Sequence, residues 1–243
     1  MIVFLHGVPE TSALWDKVRA EFDEETVALS LPGFGCARPP GFGATKDDYA
    51  AWLVEELEKF DAPVDLVGHD WGALLTYRIA STRGDLLHSW TADIANGVHP
   101  RAKWHDYAKI WQTPGDGEAY FKAVHETPVE TIAEVYEGFH LSHADALTLA
   151  QWSDEIMGTC ILDLYRSATP NVHHSWGPFG PTSAPGLILF AELDSFGNEA
   201  MSREVAQTFG AREETLEGVG HWWALERPSE AAAVIRSFVQ SVD

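Results

Sequence analysis

The chain has 243 residues, of which 45% are hydrophobic and 22% are charged, a composition typical of a globular protein that can bury a large core. Its formal net charge of −21 argues against a nucleic-acid partner and against docking on an anionic membrane surface. Neither Cys36 nor Cys160 lies in a metal or redox motif, and the first apolar run is too short for a signal peptide. We therefore expect a cytoplasmic protein. A neutral small molecule would feel little of the net charge, and we expect a neutral, apolar small-molecule substrate and no cofactor or metal. The sequence is silent on oligomeric state.

Strands, loops and helices alternate along the chain, which is typical of a mostly parallel sheet with helices on both faces. The predicted strands are Ile2–Leu5, Thr26–Leu29, Val64–Val67, one within Leu87–Ala95, Gly186–Ala191 and one near Glu213–Leu216. The predicted helices lie around Leu14–Phe22, Asp47–Phe60, Ala73–Ser81, Asn198–Phe209 and Pro228–Val239.

The sequence changes character between the fourth and fifth predicted strands. Residues 99–169 are rich in helix formers and aromatic residues and show no strand alternation, which predicts an inserted helical cap. The Pro- and Gly-rich stretch 170–185 returns the chain to the sheet. We therefore predict one core domain, made of residues 1–98 and 170–243, and one cap of residues 99–169.

The sequence Gly68-His69-Asp70-Trp71-Gly72 lies between a predicted strand and a predicted helix. Small residues on both sides of a central residue are typical of a nucleophile elbow, in which a sharp turn lifts the central side chain above the sheet. Here the central residue is an aspartate instead of a serine. An ordinary Asp in a glycine-rich turn fits the same five residues, so the elbow interpretation depends on partner residues elsewhere in the chain.

Two later loops carry the partners that such a nucleophile needs. Asp194 follows the fifth predicted strand and His221 follows the sixth, so nucleophile, acid and base occur in the chain order of an elbow-based catalytic triad. Glu192 is the alternative acid, but Asp194 lies clear of the strand. The loop after the first strand adds a backbone N–H at Val8, which with the N–H of Trp71 forms a predicted oxyanion hole.

Taken together, these motifs resemble those of the α/β-hydrolases that include epoxide hydrolases and haloalkane dehalogenases. The resemblance extends over nearly the whole chain, through the motifs HGVP, LPGFG, GHDWGA, AELD and GVGHW. It implies an α/β-hydrolase fold with a short helical cap. Members of this family usually have more chain before the HGVP strand, so we expect the first strands of the usual sheet to be absent.

Two segments of the predicted cap sharpen the resemblance to epoxide hydrolases. A Tyr followed by an aromatic-Gln-Thr-Pro-Gly run is similar to their first cap-tyrosine segment, and a Tyr-Arg pair is similar to the second. The resemblance implies that Tyr107 and Tyr165 are the ring-opening acids. Both also fit as core aromatics, and related dehalogenases carry a Tyr-Arg pair as well. Trp71 and Trp111 are the predicted substrate-binding aromatics.

A carboxylate nucleophile indicates attack at a saturated carbon, because an ionised Asp displaces a leaving group directly and forms an alkyl ester. An epoxide oxygen needs a proton donor as it leaves, which the two tyrosines would supply. A halide needs only N–H donors. Trp71 has one, but Val8 lacks the Asn or Glu side chain common at this position in dehalogenases. We therefore predict an epoxide hydrolase, with a haloalkane dehalogenase and a non-catalytic binding protein as alternatives.

Overall fold

The computed structural model describes residues 1–242, and its strands form one six-stranded sheet. The strands are β1 (Ile2–Leu5), β2 (Thr26–Leu29), β3 (Val64–Gly68), β4 (Leu87–Ala92), β5 (Gly186–Ala191) and β6 (Arg212–Leu216). Their order is β2-β1-β3-β4-β5-β6, and every pairing of neighbours is parallel. The predicted parallel sheet is therefore confirmed, and each predicted strand has an observed counterpart.

Helices cover both faces of the sheet. They are α1 (Asp16–Arg19), α2 (Lys46–Leu57), α3 (Trp71–Thr82), α4 (Asp106–Gln112), α5 (Asp116–Glu126), α6 (Val129–Glu137), α7 (His143–Trp152), α8 (Glu155–Ser167), α9 (Val172–Trp176), α10 (Glu199–Phe209), α11 (Trp223–Glu226) and α12 (Pro228–Gln240). Alternate residues of β1 point to opposite faces, so Val3 and Leu5 join one buried core with α2, α3 and α10. Ile2 and Phe4 join a second core with α1, α11 and α12.

Six helices, α4 to α9, lie between β4 and β5. Five of them occupy the stretch predicted to be helical. The sixth, α9, lies in the stretch expected to be a plain connection, where Asn171 caps it by accepting the N–H of His174 over 2.8 Å. Within residues 1–242, none of the helices combines the length and the apolar character that a bilayer crossing requires.

The helix expected around Leu14–Phe22 is wrong in its bounds. The chain instead forms a 3₁₀ turn over Ser12–Trp15, capped by the side chain of Thr11, and α1 then ends at Arg19. The Arg19 guanidinium donates to the side-chain and backbone oxygens of Thr26 over 3.0 and 2.8 Å. These bonds bring the end of α1 to the first residue of β2, so the connection is more compact than one continuous helix.

The loops after β1 and β3 pack backbone to backbone. The strand order reverses between these two strands, and open α/β sheets form ligand sites at the carboxyl ends of strands at such a point. A side-chain carbon on Gly72 would lie 2.3 Å from the carbonyl oxygen of Leu5, and one on Gly68 would lie 2.4 Å from the carbonyl oxygen of Gly72. Only glycine fits either position.

Gly72→Ala should therefore lower the free energy of unfolding by about 2–3 kcal/mol, because the added methyl group meets backbone atoms that cannot rotate away. The control is Gly180→Ala, where the added methyl group meets nothing within 4 Å and the expected change stays within about 0.5 kcal/mol. Urea unfolding followed by tryptophan fluorescence measures both variants. Equal stability of the two would contradict the close backbone contact.

Candidate active site

Asp70 occupies the turn between β3 and α3 with φ 51° and ψ −118°, a conformation that residues other than glycine rarely adopt. Its N–H donates to Oδ1 of Asp93 over 3.0 Å, and its carbonyl oxygen accepts the N–H of Leu74 over 3.0 Å. Strain of this kind costs about 1–3 kcal/mol and is concentrated at functional sites. The turn presents the Asp70 side chain to the cavity described below.

The two N–H groups predicted to form an oxyanion hole flank this side chain. The N–H of Val8 donates to Oδ1 of Asp70 over 2.8 Å. The N–H of Trp71 lies in the first turn of α3 and has no acceptor within the helix. A side-chain carbon on Gly7 would lie 2.4 Å from Oδ1 of Asp70 and 2.6 Å from the Trp71 nitrogen, so glycine is required for this approach.

His221 lies between the carboxylates of Asp194 and Asp70, the two residues that the sequence predicts as its partners. Its Nδ1 is 2.9 Å from Oδ2 of Asp194, and its Nε2 is 3.9 Å from Oδ2 of Asp70. Asp194 is held in turn by the N–H of Phe196 over 2.8 Å. Glu192, the alternative acid, instead accepts a backbone N–H of the loop before His221 over 2.8 Å.

Burial and charge set the protonation of these three groups. Burial raises the pKa of Asp70 to about 6, although the nearby His221 acts in the opposite direction. Burial alone would lower the pKa of His221, but the charge and hydrogen bond of Asp194 outweigh it and the pKa is raised. Burial likewise opposes ionisation of Asp194, and His221 outweighs it, so the pKa of Asp194 is lowered. The arrangement therefore favours a charged His-Asp pair beside a carboxyl group that ionises near neutral pH.

A buried network around His69 was missed by the sequence analysis. The Nδ1 of His69 is 2.5 Å from Oδ2 of Asp93, and its Nε2 is 3.1 Å from Oε1 of Glu10. The indole N–H groups of Trp222 and Trp223 donate to the same two carboxylates, over 2.8 Å to Glu10 and 2.7 Å to Asp93. Burial alone would lower the pKa of His69, but the two carboxylates raise it well above its ordinary value.

This network ties the β1 loop to the elbow. Glu10 also accepts the N–H of Gly7 over 2.8 Å, while Asp93 holds the elbow backbone. Only the positions of these residues in the sequence could have indicated the network, since Glu10 directly follows the HGVP motif and His69 directly precedes Asp70. Glu10, His69 and His221 also bring three potential metal-ligand atoms within 4.8 Å of one another. Both ring nitrogens of His69 are hydrogen-bonded to carboxylates, so its ring offers a metal no free lone pair.

A cavity of about 530 Å³ lies against the Asp70 carboxylate. Its wall is formed by the loops after the strands and by side chains of α4, α5, α6 and α8, and much of it is aromatic. The indole nitrogens of Trp71 and Trp111 are buried in this wall and have no hydrogen-bond partner among the residues that the structure describes. A buried N–H without a partner favours a ligand that brings an acceptor.

Both tyrosines that the resemblance singles out line this cavity. Tyr165 is 2% exposed, and its ring centroid is 5.3 Å from that of Trp71 and 4.8 Å from that of Trp111. Burial and the Asp70 carboxylate raise the pKa of Tyr165 well above its ordinary value, so its hydroxyl group keeps its proton. Tyr107 is half-buried and stacks on Trp111 at 6.2 Å.

Two further tyrosines in the cavity were not singled out by the sequence. The ring of Tyr120 is 6.2 Å from that of Tyr107, and burial raises the pKa of Tyr120 to about 12. Burial also raises the pKa of Tyr136, whose ring is 5.3 Å from that of Trp222. Neither tyrosine lies in a recognisable motif. The spacing of residues in α5 and α6 does not distinguish a tyrosine that faces the cavity from one that packs in the core.

The sequence matches the model of the Alpha/beta hydrolase family over residues 2–234. The chain belongs to this family. The six parallel strands, the surrounding helices and the turn that carries Asp70 agree with the α/β-hydrolase fold, as the sequence predicted.

The relatives of this α/β-hydrolase include an epoxide hydrolase and a haloalkane dehalogenase. Epoxide hydrolase 3 of Xenopus tropicalis is 27% identical, in an alignment that covers 99% of this chain and 71% of the relative. Haloalkane dehalogenase 1 of Mycobacterium tuberculosis is 26% identical, over 82% of this chain and 69% of the relative. The solved structure of an epoxide hydrolase from an endophytic Streptomyces shares the fold, with a TM-score of 0.80, 18% identity and coverage of 99% and 89%. The protein is thus a hydrolase.

Asp70→Asn should stabilise this hydrolase at neutral pH. Because the pKa of Asp70 is higher in the folded protein than in the unfolded chain, its ionisation lowers the stability of the fold above the unfolded pKa. We expect the free energy of unfolding to rise by about 1–3 kcal/mol at about pH 7.5, and the gain to shrink towards zero near about pH 4. Asn also tolerates the positive φ at this position.

Asp194→Asn is the matched control, and its effect should have the opposite sign. The pKa of Asp194 is lowered in the folded protein, so its charge contributes stability above the unfolded pKa, and this contribution is lost as the pH falls. Urea titrations at the two pH values measure both variants. A less stable Asp70→Asn at neutral pH would show that burial does not oppose the charge on this carboxylate.

Proposed function

We propose that this protein is an epoxide hydrolase that converts an epoxide to a vicinal diol through an alkyl ester on Asp70. The observation that carries the proposal is one set of contacts around Asp70. Its carboxylate accepts the N–H of Val8 at 2.8 Å, faces Nε2 of His221 at 3.9 Å, and lies near the buried hydroxyl-bearing ring of Tyr165. Nucleophile, base and proton donor therefore face one cavity.

In the first step, the free carboxylate oxygen of Asp70 attacks an epoxide carbon. The new bond joins this oxygen to the carbon, and the carbon–oxygen bond of the ring breaks with its electron pair going to the ring oxygen. Tyr165 or Tyr107 transfers its phenolic proton to that oxygen, which would otherwise leave as an unstable alkoxide. The product of this step is a neutral hydroxyalkyl ester.

In the second step, His221 removes a proton from a water molecule, and the resulting hydroxide attacks the carbonyl carbon of the Asp70 ester. The 3.9 Å between Nε2 of His221 and Oδ2 of Asp70 is longer than a direct hydrogen bond and suits a bridging water. The tetrahedral oxyanion is stabilised by the N–H groups of Val8 and Trp71. Its collapse breaks the ester bond, and the diol leaves with the proton of the imidazolium. The acid proton of the regenerated Asp70 carboxyl group then returns to the tyrosinate. Asp194 orients the imidazole and stabilises its protonated form.

Residues 99–169 act in this proposal as a cap over a core of residues 1–98 and 170–243. The cap contributes Tyr107, Trp111 and Tyr165 to the cavity wall. The substrate is a neutral, apolar small molecule, because apolar side chains, many of them aromatic, form most of the wall, and the reaction uses no metal or cofactor. We expect the protein to act in the cytoplasm, without nucleic-acid or membrane partners.

A haloalkane dehalogenase is the second candidate, and one observation favours it. The buried indole N–H groups of Trp71 and Trp111 face the cavity without a hydrogen-bond partner among residues 1–242, and two such donors suit a departing halide. The same attack by Asp70 would then release the halide without a proton. Val8 contributes no side-chain donor, and the buried Tyr165 hydroxyl is better suited to an oxygen leaving group.

His221→Gln should trap the covalent ester, because the enzyme then lacks the base for its hydrolysis. Intact-protein mass after incubation with styrene oxide is expected to rise by the mass of the whole epoxide, and adding Asp70→Ala to the variant should abolish the rise. An adduct with 1-bromobutane alone would support the dehalogenase instead. No adduct from either reagent would contradict the chemistry assigned to Asp70 and favour a non-catalytic binding protein.

Tyr165→Phe and Tyr107→Phe should each lower kcat for styrene oxide by about 10-fold or more, and the double variant by about 10³-fold, because proton transfer to the leaving oxygen is lost. Tyr120→Phe is the control and should keep kcat within about threefold of the parent. Steady-state kinetics measures the four variants and the parent. Full activity of the double variant would contradict both roles, and a larger loss in Tyr120→Phe than in Tyr107→Phe would move the role to Tyr120.

A further inference from the structure

His105 caps the first turn of α4 with its side chain. Its Nδ1 accepts the N–H of Ala108 over 3.1 Å, and its backbone is extended, as a capping residue requires. A ring nitrogen that accepts a hydrogen bond carries no proton. The neutral ring of His105 therefore carries its proton on Nε2, on the side that faces away from the helix.

The ring of His105 lies in the wall of the cavity, among the groups assigned to the reaction. Its centroid is 6.3 Å from that of Tyr107 and 6.0 Å from that of Tyr165. Phe196 lies between His105 and His221. Its ring centroid is 5.1 Å from that of His105 and 4.9 Å from that of His221. Among the described residues, the ring of His105 makes its side-chain hydrogen bond through Nδ1, so the Nε2–H is left for a ligand.

The environment also keeps His105 neutral. Burial, and to a smaller extent the nearby His221, lower the pKa of His105 to about 4, against a smaller opposing effect of Asp106. Protonation of Nδ1 would in addition break the hydrogen bond to Ala108. A neutral imidazole in an active site cannot act as a strong acid, but it can polarise an oxygen by donating a hydrogen bond.

We propose that His105 is a further catalytic residue, whose Nε2–H donates a hydrogen bond to the oxygen that leaves the epoxide carbon. The inference rests on the proposed function. As the carbon–oxygen bond breaks, its electron pair goes to the oxygen, a tyrosine supplies the proton, and His105 keeps its own. A fixed neutral donor stabilises the charge that develops on this oxygen before proton transfer is complete. The ring lies within contact range of both tyrosines, where a shared leaving oxygen would be held.

Two substitutions separate this role from the capping role. His105→Asn retains an acceptor close to the position of Nδ1 and is a good capping residue, but it removes the ring N–H from the cavity. His105→Gln puts an amide N–H close to the position of Nε2, but its longer side chain is a poor cap. A purely structural His105 therefore predicts greater damage from Gln, whereas a catalytic donor predicts greater damage from Asn.

The rate to measure is the single-turnover formation of the styrene oxide adduct, by quenched-flow intact mass, with each variant made in the His221→Gln background. We expect His105→Asn to slow adduct formation by about 10-fold or more while its Tm stays within about 2 °C of the parent. His105→Gln should slow adduct formation less and lower the Tm more. The inference would be overturned if His105→Asn formed the adduct as fast as its His221→Gln parent, or if His105→Gln slowed adduct formation as much as His105→Asn does. The proposed function would stand in both cases. No adduct in the parent would refute the proposed function itself.

A second measurement needs no substrate. Nitrogen-15 NMR of the histidine rings should report His105 as the neutral form protonated at Nε2, unchanged between about pH 7.5 and about pH 5.5, since its pKa lies near 4. The ring signal that is missing from the spectrum of His105→Asn is the signal of His105. A ring protonated at Nδ1, or one that titrates between these pH values, would overturn the inference.

Discussion

The approach of two backbone loops at the carboxyl ends of β1 and β3 is the constraint on which the site depends. Asp70 adopts its positive φ in a turn where Gly7, Gly68 and Gly72 each leave no room for even one added carbon atom. That crowding brings the N–H of Val8 to the Asp70 carboxylate. The elbow is therefore held by main-chain sterics, which persist whatever the cavity contains.

Behind the elbow, the buried charges are organised as a chain of alternating sign. His69 lies between Glu10 and Asp93, and the indoles of Trp222 and Trp223 each donate one further hydrogen bond to these carboxylates. A half-satisfied network of this kind would be more destabilising than an apolar core. Because each carboxylate also holds a backbone N–H of one loop, the two loops cannot shift independently, and this couples the loop that carries Val8 to the turn that carries Asp70.

The fold could be predicted from the sequence because its signals are local. The apolar runs of β1 and β5 match the observed strands residue for residue, and the motif order anticipated the contact between His221 and Asp194. The contacts of Glu10 and His105 could not be predicted. Both depend on tertiary neighbours, since a carboxylate after a turn and a histidine before a helix are common on protein surfaces. The connection after β1 differs from the predicted helix because α1 ends at Arg19, whose guanidinium bonds to Thr26 at the start of β2, and such a contact is tertiary.

The position of His221 between two carboxylates has a consequence for the order of events. The Asp70 charge is one of the influences that raise the pKa of His221. Once Asp70 is converted to an ester, as proposed, that charge disappears and the pKa of His221 falls, so a larger fraction of the imidazole is unprotonated at a given pH. The base thus becomes more available when the ester forms and less available once the free carboxylate returns. Asp70 would in this way be both the group that reacts and the group whose charge determines when His221 is free to act as the base.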